Sequence, residues 1–461
     1  MRRVSLLMAF LITGYILGVW SFLLVPKYYL VFGLKGLILS LVPALVALFL
    51  MYSEAEATKK TRYLIYELFF KIGKRPGIVF TLFMFLLTML GISLYYSAYS
   101  LPYVFGKTPT ATYVAVFELI TMAFVLVLLL IAKGRTVDVI SFMTILFVLF
   151  AIVTPFLVKG QVSGVVTSQA AKTYMEDAVS SITSFDKPLT GLGVFEMMVA
   201  VLLSLGLGAG VYYVIGSFSP EDLDFKKVFG IALVLQIILG LAAAYTVAYS
   251  LGSAYEGFQR AVQNPDVSPE ESMNLFIHFS NLKQYTTNST QPVLDTIDVF
   301  YSIPRVLKGN VPGSSELTFL LMLAVYFAGL TTIIVMVEMG GHIISEVMQI
   351  NREKGLAVVS TMGFVIGALM ISGGLKTMFL AVPLSVGALI AAVEAYPLLS
   401  KEIESNKPIT AAAMLFLILL GLGSLYYNIT HLGAMGKLGI LLGLLFFLPV
   451  FMSGMLMKGS R

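Results

Sequence analysis

Uncharged, apolar runs of about 20 residues recur along the whole length of this 461-residue chain. Each run is long enough to cross the hydrocarbon core of a bilayer, which is roughly 30 Å thick. Backbone groups at that depth must bond within their own segment, so the runs are predicted to be helices. Charged residues make up only 12% of the chain, about half the share in soluble domains. The sequence therefore predicts an all-α polytopic membrane protein.

About twelve of these runs are candidate transmembrane spans. Two long connections, 159–192 and 252–315, interrupt the series. The second connection is polar and includes amphipathic stretches such as 293–307, for which we expect short helices lying over one face of the protein. The predicted spans are 4–26, 31–52, 77–103, 111–132, 139–158, 193–218, 228–251, 316–347, 355–373, 376–399, 408–428 and 434–457.

Lysine and arginine are distributed unevenly over the connections. Most of the 30 basic residues fall in short segments on the side of the N-terminus. Cytoplasmic loops are the ones enriched in these residues, so we expect a multi-pass protein of the cell membrane with both termini in the cytoplasm. The connection 252–315 is then outside. The chain has no cysteine, which excludes disulfides and thiolate metal sites.

Glycines interrupt the first and the sixth predicted span. Span one carries Gly14 and Gly18, and span six carries Gly206, Gly208 and Gly210 at alternate positions. Glycine lowers helix stability by roughly 1 kcal/mol relative to alanine, so both spans are predicted to unwind. The alternative is close helix packing through a GxxxG pair, which for span one alone is the simpler interpretation. Interrupted spans at corresponding positions in two halves indicate the binding site of a transporter.

The order of the spans fits a five-plus-five inverted repeat in which spans one and six open the two halves. The first repeat would cover about residues 4–158 and the second about 193–399. Two extra helices would follow at 408–457. Together these elements predict a single transmembrane domain over residues 1–461.

Span eight contains a motif, FAGLTT from Phe327 to Thr332, that resembles a segment of the neurotransmitter:sodium symporters, whose prototype is the bacterial leucine transporter. The stretch from Ser204 to Gly208 in span six is similar to a second segment of that family. The resemblance is to a divergent member, and it implies a leucine-transporter-type fold. Further similarities are the glycine spacing before Pro26, the paired tyrosines Tyr95 and Tyr96, and acids at Glu54 and Glu394.

The resemblance implies one sodium site between spans one and eight. Hard cations prefer oxygen ligands, and two threonines that lie three and four residues after an alanine share one helix face with its carbonyl. The alternative is that both threonines bond back to preceding carbonyls of their own helix. The implied ligands are the carbonyls of Gly14, Leu17 and Ala328 and the hydroxyls of Thr331 and Thr332.

The family's substrate contacts and gates can also be placed on this sequence. In the family's first sodium site, Ser21 replaces an asparagine and Leu202 replaces a threonine, so that site is predicted to be incomplete. The charged outer gate is replaced by Leu24 and approximately Phe379, which predicts an apolar gate. The implied substrate-binding residues are Ile16, Val19, Trp20, Tyr96, Ser204 and Leu207.

Three glutamates, Glu54, Glu338 and Glu394, lie within or at the ends of spans. Ionisable groups at such positions are costly and usually functional. Glu338 follows the span-eight motif by two turns, and a proton-coupling role is one interpretation of it. The other interpretation is a glutamate that ties helices together, which we favour for Glu54 and Glu394. Glu118 and Glu196 are expected near the outer ends of their spans, where water can solvate them.

These observations predict a secondary active transporter that couples sodium to a small organic solute, an amino acid or a related amine, by alternating access. One alternative is a proton-coupled or degenerate relative of the same fold. Two others are an integral membrane enzyme acting on lipid-linked substrates and a flippase. The chain has no P-loop, HExxH or nucleophile elbow, so an enzyme is not expected. The expected partners are the solute, sodium and membrane lipid but not nucleic acid, and the sequence does not indicate an oligomeric state.

Overall fold

A computed structural model describes residues 3–131, 136–308 and 310–458, with side chains over 5–131, 136–308 and 310–455. The regular structure of these residues is helical, and no β-strand occurs among them. Eleven of their helical segments are long and apolar enough to cross a membrane. The prediction of an all-α polytopic membrane protein is therefore confirmed.

The α-helices are numbered here in chain order, and three short 3₁₀ helices lie between them. They are α1 (Arg3–Ile16), α2 (Trp20–Leu23), α3 (Val25–Val31), α4 (Gly33–Thr61), α5 (Ile65–Lys71), α6 (Gly77–Val104), α7 (Ala111–Ile131), α8 (Thr136–Ser163), α9 (Gln169–Thr183), α10 (Gly191–Ser204), α11 (Val211–Phe218), α12 (Phe225–Gln263), α13 (Pro269–Thr287), α14 (Ile303–Leu307), α15 (Ser314–Met348), α16 (Arg352–Met370), α17 (Gly373–Glu394), α18 (Lys407–His431), α19 (Ala434–Leu445), α20 (Leu448–Phe451) and α21 (Ser453–Lys458). The 3₁₀ helices are Val293–Asp295, Val299–Ser302 and Tyr396–Leu399.

The sixth predicted span is not a single long helix. It consists of α10, which has 14 residues, and α11, which has 8, with residues 205–210 outside both helices. The first span is interrupted as well, because α1 ends at Ile16 and α2 begins at Trp20. The predicted interruption of both spans is confirmed.

Three glycines explain the break in the sixth span. Gly206, Gly208 and Gly210 have φ angles of +72°, +93° and +71°. Only glycine adopts this left-handed region without a steric penalty. The alternation of glycines therefore marks three points at which a right-handed helix cannot continue.

Two groups of loop residues, 164–190 and 264–308, form a cover that we call the loop cap. It contains α9, α13, α14 and two of the 3₁₀ helices, which confirms the expectation of short helices over 293–307. Serine side chains cap both longer helices: Ser168 accepts a bond from the Ala171 amide and Ser268 accepts one from the Glu271 amide. Helices α9 and α13 pack on α12 and α3, so the loop cap lies over the end of the bundle that includes the second half of span one.

Helix α15 occupies the middle of the bundle. It packs against α1, α6, α8, α11 and α16. The periphery shows the opposite pattern, since large apolar side chains such as Leu119 and Phe124 on α7 and Leu419 on α18 are exposed. Such a surface is suited to lipid rather than to water. The interior helices α1 and α15 therefore hold the residues from which a site can be built.

Candidate functional site

The two interrupted helices meet through a tyrosine. The Tyr15 hydroxyl donates a 2.9 Å hydrogen bond to the carbonyl of Gly206. The Tyr212 hydroxyl donates to the carbonyl of Leu205, and its ring packs edge-to-face on Tyr15 with the centroids 5.8 Å apart. Buried backbone groups that lose their helical partners need others. Phenol hydroxyls supply them here, so the two breaks are joined and filled by the protein's own side chains.

Oxygen atoms from α1 and α15 converge just before the break in the first span. The Thr331 hydroxyl lies 2.9 Å from the Gly14 carbonyl oxygen and 3.0 Å from that of Ala328. The Thr332 hydroxyl lies 3.4 Å from the Tyr15 carbonyl oxygen and 3.1 Å from that of Ala328. We call these five oxygens the carbonyl–threonine cluster. Thr331 and Thr332 are both buried.

Four of the five ligands implied by the sequence fall in this cluster. The fifth is Leu17, whose backbone N–H bonds to the carbonyl of Thr13 at 2.9 Å. The carbonyl that approaches Thr332 is that of Tyr15, a residue that the sequence analysis did not single out. Each hydroxyl bonds back to the Ala328 carbonyl of its own helix, as the alternative interpretation predicts, and also reaches a carbonyl of α1. The sodium site itself stays a prediction.

Glycines allow α1 to approach α15 this closely. A methyl group placed on Gly14 would lie 2.6 Å from the Thr144 hydroxyl oxygen and 3.3 Å from Cβ of Thr331. One placed on Gly18 would lie 2.4 Å from the Thr332 hydroxyl oxygen. Real Cβ atoms essentially never come within 3.0 Å of another heavy atom. A larger residue at Gly14 would therefore press α1 away from α8, and one at Gly18 would press it away from α15.

The chemistry of the cluster suits a monovalent hard cation. Its oxygens are neutral, and Ca²⁺ sites in proteins ordinarily include carboxylates. Among the described residues, no group of three or more His, Cys, Asp or Glu side chains could hold a metal ion. The donor set therefore fits sodium better than a divalent ion.

The six implied substrate residues lie around the breaks or on α6, and all are buried. Tyr96 donates to Asp298 at 2.9 Å, while Ser204 donates to the Val201 carbonyl and accepts a bond from Gln236. Both hydroxyls therefore have protein partners. The buried residues are Ile16, Val19, Trp20, Tyr96, Ser204 and Leu207.

The incomplete first sodium site stays a prediction. Leu202 is buried in α10, and a leucine side chain offers no oxygen. The Ser21 hydroxyl and the Trp20 indole N–H are buried without a hydrogen-bond partner in the described part of the chain. Two donors beside the break in span one are thus left unpaired among the described residues.

Two glutamates lie beside the break in the sixth span. The Glu394 carboxylate accepts bonds from the backbone N–H groups of Gly210, at 2.6 Å, and Gly208. The Tyr213 hydroxyl donates to the Glu394 carbonyl at 3.0 Å. Glu54 is fully buried and close enough to Glu394 to interact with it electrostatically, and its carboxyl oxygens have no partner among the described residues. These contacts support a structural role for Glu394.

Glu338 has a different environment. Its carboxylate pairs with Arg352, through Nε at 2.9 Å, and with His342 at 3.0 Å. These partners are on α15 and α16, whereas the partners of Glu394 are on the α10–α11 break. The three candidate acids therefore do not form one cluster. A charge-paired glutamate is the arrangement expected for a structural link between helices.

The expectation that Glu118 and Glu196 are solvated is wrong. Glu118 is fully buried, and its carboxyl oxygens lack a partner among the described residues. Glu196 is buried too, where its carboxylate accepts bonds of 3.2 Å from the Tyr28 hydroxyl and the Val293 backbone N–H. Position near the end of a span was a poor guide because the loop cap and neighbouring helices exclude water there.

A buried lysine anchors the loop cap to the first span. Lys27 on α3 donates to the carbonyl of Gln291 at 2.6 Å and to the hydroxyl of Thr296 at 3.2 Å. Burial lowers the pKa of Lys27 to about 8, against the opposing attraction of Glu196 and Asp295. The loop segment 291–296 is thereby tied to both interrupted spans, since Glu196 is on α10.

The next residues of the same loop reach the other helices. Asp298 accepts the Tyr96 hydroxyl bond and forms an ion pair with Lys376 on α17. The Tyr301 hydroxyl donates to the Tyr96 carbonyl at 2.8 Å. The loop segment 291–302 therefore bridges α3 and α10 on one side and α6 and α17 on the other.

The bridging loop lies beside the positions of the predicted outer gate. Leu24 and Phe379 are both buried, in keeping with an apolar constriction. One turn before Phe379, however, Lys376 pairs with the loop residue Asp298. The ion pair could not be predicted from the helix positions alone, because Asp298 belongs to the loop.

No protein-family model matches the sequence, and no curated protein sequence matches it significantly. Fold and site therefore define the class of protein by themselves: a polytopic helical membrane protein in which two interrupted helices meet beside a buried cluster of neutral oxygens.

Proposed function

We propose that this protein is a secondary active transporter, a divergent relative of the neurotransmitter:sodium symporters. It couples the movement of sodium to that of a small organic solute, an amino acid or a related amine. Transport proceeds by alternating access in a leucine-transporter-type fold. The protein is not an enzyme in this proposal.

The order of the helices supports a five-plus-five repeat. The first set comprises the interrupted span α1–α3 followed by α4, α6, α7 and α8. The second set comprises the interrupted pair α10–α11 followed by α12, α15, α16 and α17. Each set opens on an interrupted span, as inverted-repeat transporters do. Helices α18 and α19, with the short helices after them, would be the additional pair.

The carbonyl–threonine cluster is the observation that carries the sodium proposal. Thr331 and Thr332 would hold the ion through their hydroxyls, and Gly14, Tyr15 and Ala328 through their carbonyls. The ligands belong to two helices, α1 and α15. A ligand shifts an equilibrium only by its different affinity for two states, and an ion that needs both helices favours the state in which they are close. Sodium would in this way set the position of α1.

Thermal unfolding tests the ion site. Sodium at ten times its Kd should stabilise the purified protein by about 1.4 kcal/mol relative to potassium at equal ionic strength. The double variant Thr331→Val/Thr332→Val keeps side-chain volume but removes both hydroxyls, so it should lose the sodium-specific shift. The control Thr88→Val/Thr246→Val removes hydroxyls that donate to carbonyls four residues earlier in α6 and α12, and it should keep the shift. A full shift in the first variant would refute this site.

Uptake tests the solute. Protein reconstituted in vesicles should accumulate members of an amino-acid and amine panel when a sodium gradient points inward, and the potassium gradient should not replace it. The Thr331→Val/Thr332→Val variant should show no sodium-driven uptake. Accumulation that is independent of sodium for every member of the panel would contradict the proposal.

A proton-coupled transporter is the second candidate. The observation that favours it is the buried carboxyl group of Glu54, which lacks a partner among the described residues. A buried carboxylate without a partner is costly, and binding of a proton removes its charge. If protons drive transport, uptake should follow an inward pH gradient in sodium-free buffer. Glu54→Gln should abolish that uptake, while Glu402→Gln, at an exposed position, should not.

A further inference from the structure

In the interior of helix α8, the hydroxyl of Thr144 differs from those of the serine and threonine on either side of it. Ser141 and Thr154 donate bonds of 2.7 Å to the carbonyls four residues earlier in that helix. Such bonding is the habit of serine and threonine in membrane helices. The Thr144 hydroxyl is buried and has no partner in the described part of the chain. Its side chain is therefore not used to satisfy its own helix.

The Thr144 hydroxyl lies against the cluster. A methyl group on Gly14 would meet it at 2.6 Å and would meet Cβ of Thr331 at 3.3 Å. The two threonines therefore flank the same glycine, whose carbonyl is already part of the carbonyl–threonine cluster. Helix α8 packs on both α1 and α15. It is therefore the third helix beside the cluster, and Thr144 is the residue that it places there.

The other side of Thr144 offers mostly carbon. It borders a cavity of about 320 Å³ whose lining includes Phe10, Ile145 and Val148 together with Thr13. An unpaired buried hydroxyl destabilises the folded protein, and a valine side chain would have nearly the same shape without the unpaired group. The Thr144 hydroxyl is thus unfavourable for stability by itself, and the carbonyl–threonine cluster is the polar group that it lies against.

We propose that Thr144 is a further ligand of the cation held at the carbonyl–threonine cluster. This inference rests on the proposed sodium site and enlarges it. The oxygens of the enlarged site come from three helices. Helix α1 supplies carbonyls, α15 supplies a carbonyl and two hydroxyls, and α8 supplies one hydroxyl. Bound sodium satisfies the orphaned hydroxyl and ties α1 to α8 as well as to α15.

The experiment is a sodium titration of the purified protein, read by thermal shift and by equilibrium binding of radioactive sodium, with potassium holding ionic strength constant. Thr144→Val should weaken apparent sodium affinity by about fivefold or more, the factor that follows from losing one ligand bond of about 1 kcal/mol. Thr144→Ser, which keeps the oxygen, should stay close to wild type. Thr154→Val is the matched control on α8 and should leave affinity unchanged.

The outcomes separate this inference from the proposed function. Thr144→Ala serves as a second test if the valine variant does not fold, and it should show the same loss. If sodium binds the wild type but the valine and alanine variants bind it equally well, Thr144 is not a ligand while the cluster stands. If the wild type binds no sodium by either readout, the ion site and this inference are both wrong.

Discussion

The Tyr15 hydroxyl and the Gly206 carbonyl are joined by a 2.9 Å hydrogen bond across the two interrupted helices. Residues 191 positions apart in the chain thus hold the two breaks together. Gly206 accommodates the ring only because it lacks a side chain, since a methyl group there would lie 2.5–2.7 Å from three Tyr15 atoms. The contact holds the break in the first span against the break in the sixth.

Replacing Tyr15 with phenylalanine tests this link. The variant keeps the ring but leaves the Gly206 carbonyl without its donor, which should cost about 1–3 kcal/mol of unfolding free energy. Thermal unfolding in detergent measures the loss. Tyr426→Phe removes an exposed hydroxyl on α18 and should change stability little. Equal effects of the two variants would show that the bond does not stabilise the folded protein.

Gly18 offers a test of the close approach of α1 and α15. In Gly18→Ala the new methyl group would lie 2.4 Å from the Thr332 hydroxyl oxygen, so the helices must separate. Overpacking of this kind costs about 1–3 kcal/mol, and the sodium-specific thermal shift should shrink with it. Gly230→Ala on α12 meets no atom within 4 Å, and it should preserve both stability and shift. Tolerance of Gly18→Ala would mean that the cluster is looser than the geometry indicates.

Lys27 should give the protein a distinct pH dependence. Its pKa is about 8 in the folded protein against an ordinary value of 10.5. Between these values the unfolded chain binds a proton that the folded protein has released. The free energy of unfolding should therefore rise with pH across this window, by up to about 1.4 kcal/mol per pH unit.

The variant Lys27→Met isolates that dependence. It should lack the rise, and it should be less stable at neutral pH because the Gln291 carbonyl and the Thr296 hydroxyl lose their donor. Lys283→Met, at an exposed position of the loop cap, should keep the rise. Thermal unfolding measured from pH 7 to about 10.5 decides the matter, and parallel curves for wild type and Lys27→Met would contradict it.

Orientation in the membrane is open to chemical labelling, because the native chain has no cysteine. We predict that Thr287→Cys, in the loop cap, reacts with an impermeant thiol reagent added to intact cells. Lys71→Cys, at the end of α5, should react only after the membrane is opened. Both positions are exposed in the fold. The reverse pattern would place the termini outside.

Local signals in the sequence were sufficient to predict that the spans are helices and that two of them are interrupted. Gly206, Gly208 and Gly210 permit left-handed backbone, so their spacing alone predicts an interruption that the fold contains. The helix limits were harder: span seven was predicted to end at residue 251, but α12 continues to Gln263. The last turns of α12 are polar. A span predicted from hydrophobicity ends where the apolar residues end, although the helix continues beyond them.

Contacts between distant residues could not be predicted in this way. Tyr15 looked like one more apolar residue of span one, because nothing near it in the chain reveals that its hydroxyl reaches Gly206. Lys27 and Asp298 are ordinary charged residues until the loop cap folds over the bundle. Thr144 gave no signal at all, since an orphaned hydroxyl can be recognised only once its neighbours are known.

Trp20 is the single tryptophan of the chain, and it begins α2 directly after the break in the first span. Its indole is buried, and its N–H lacks a partner among the described residues. All tryptophan fluorescence of this protein therefore originates at one known point beside the candidate site, in apolar surroundings. The emission spectrum of the unmodified protein can report on any rearrangement of that break without a label or a reporter mutation.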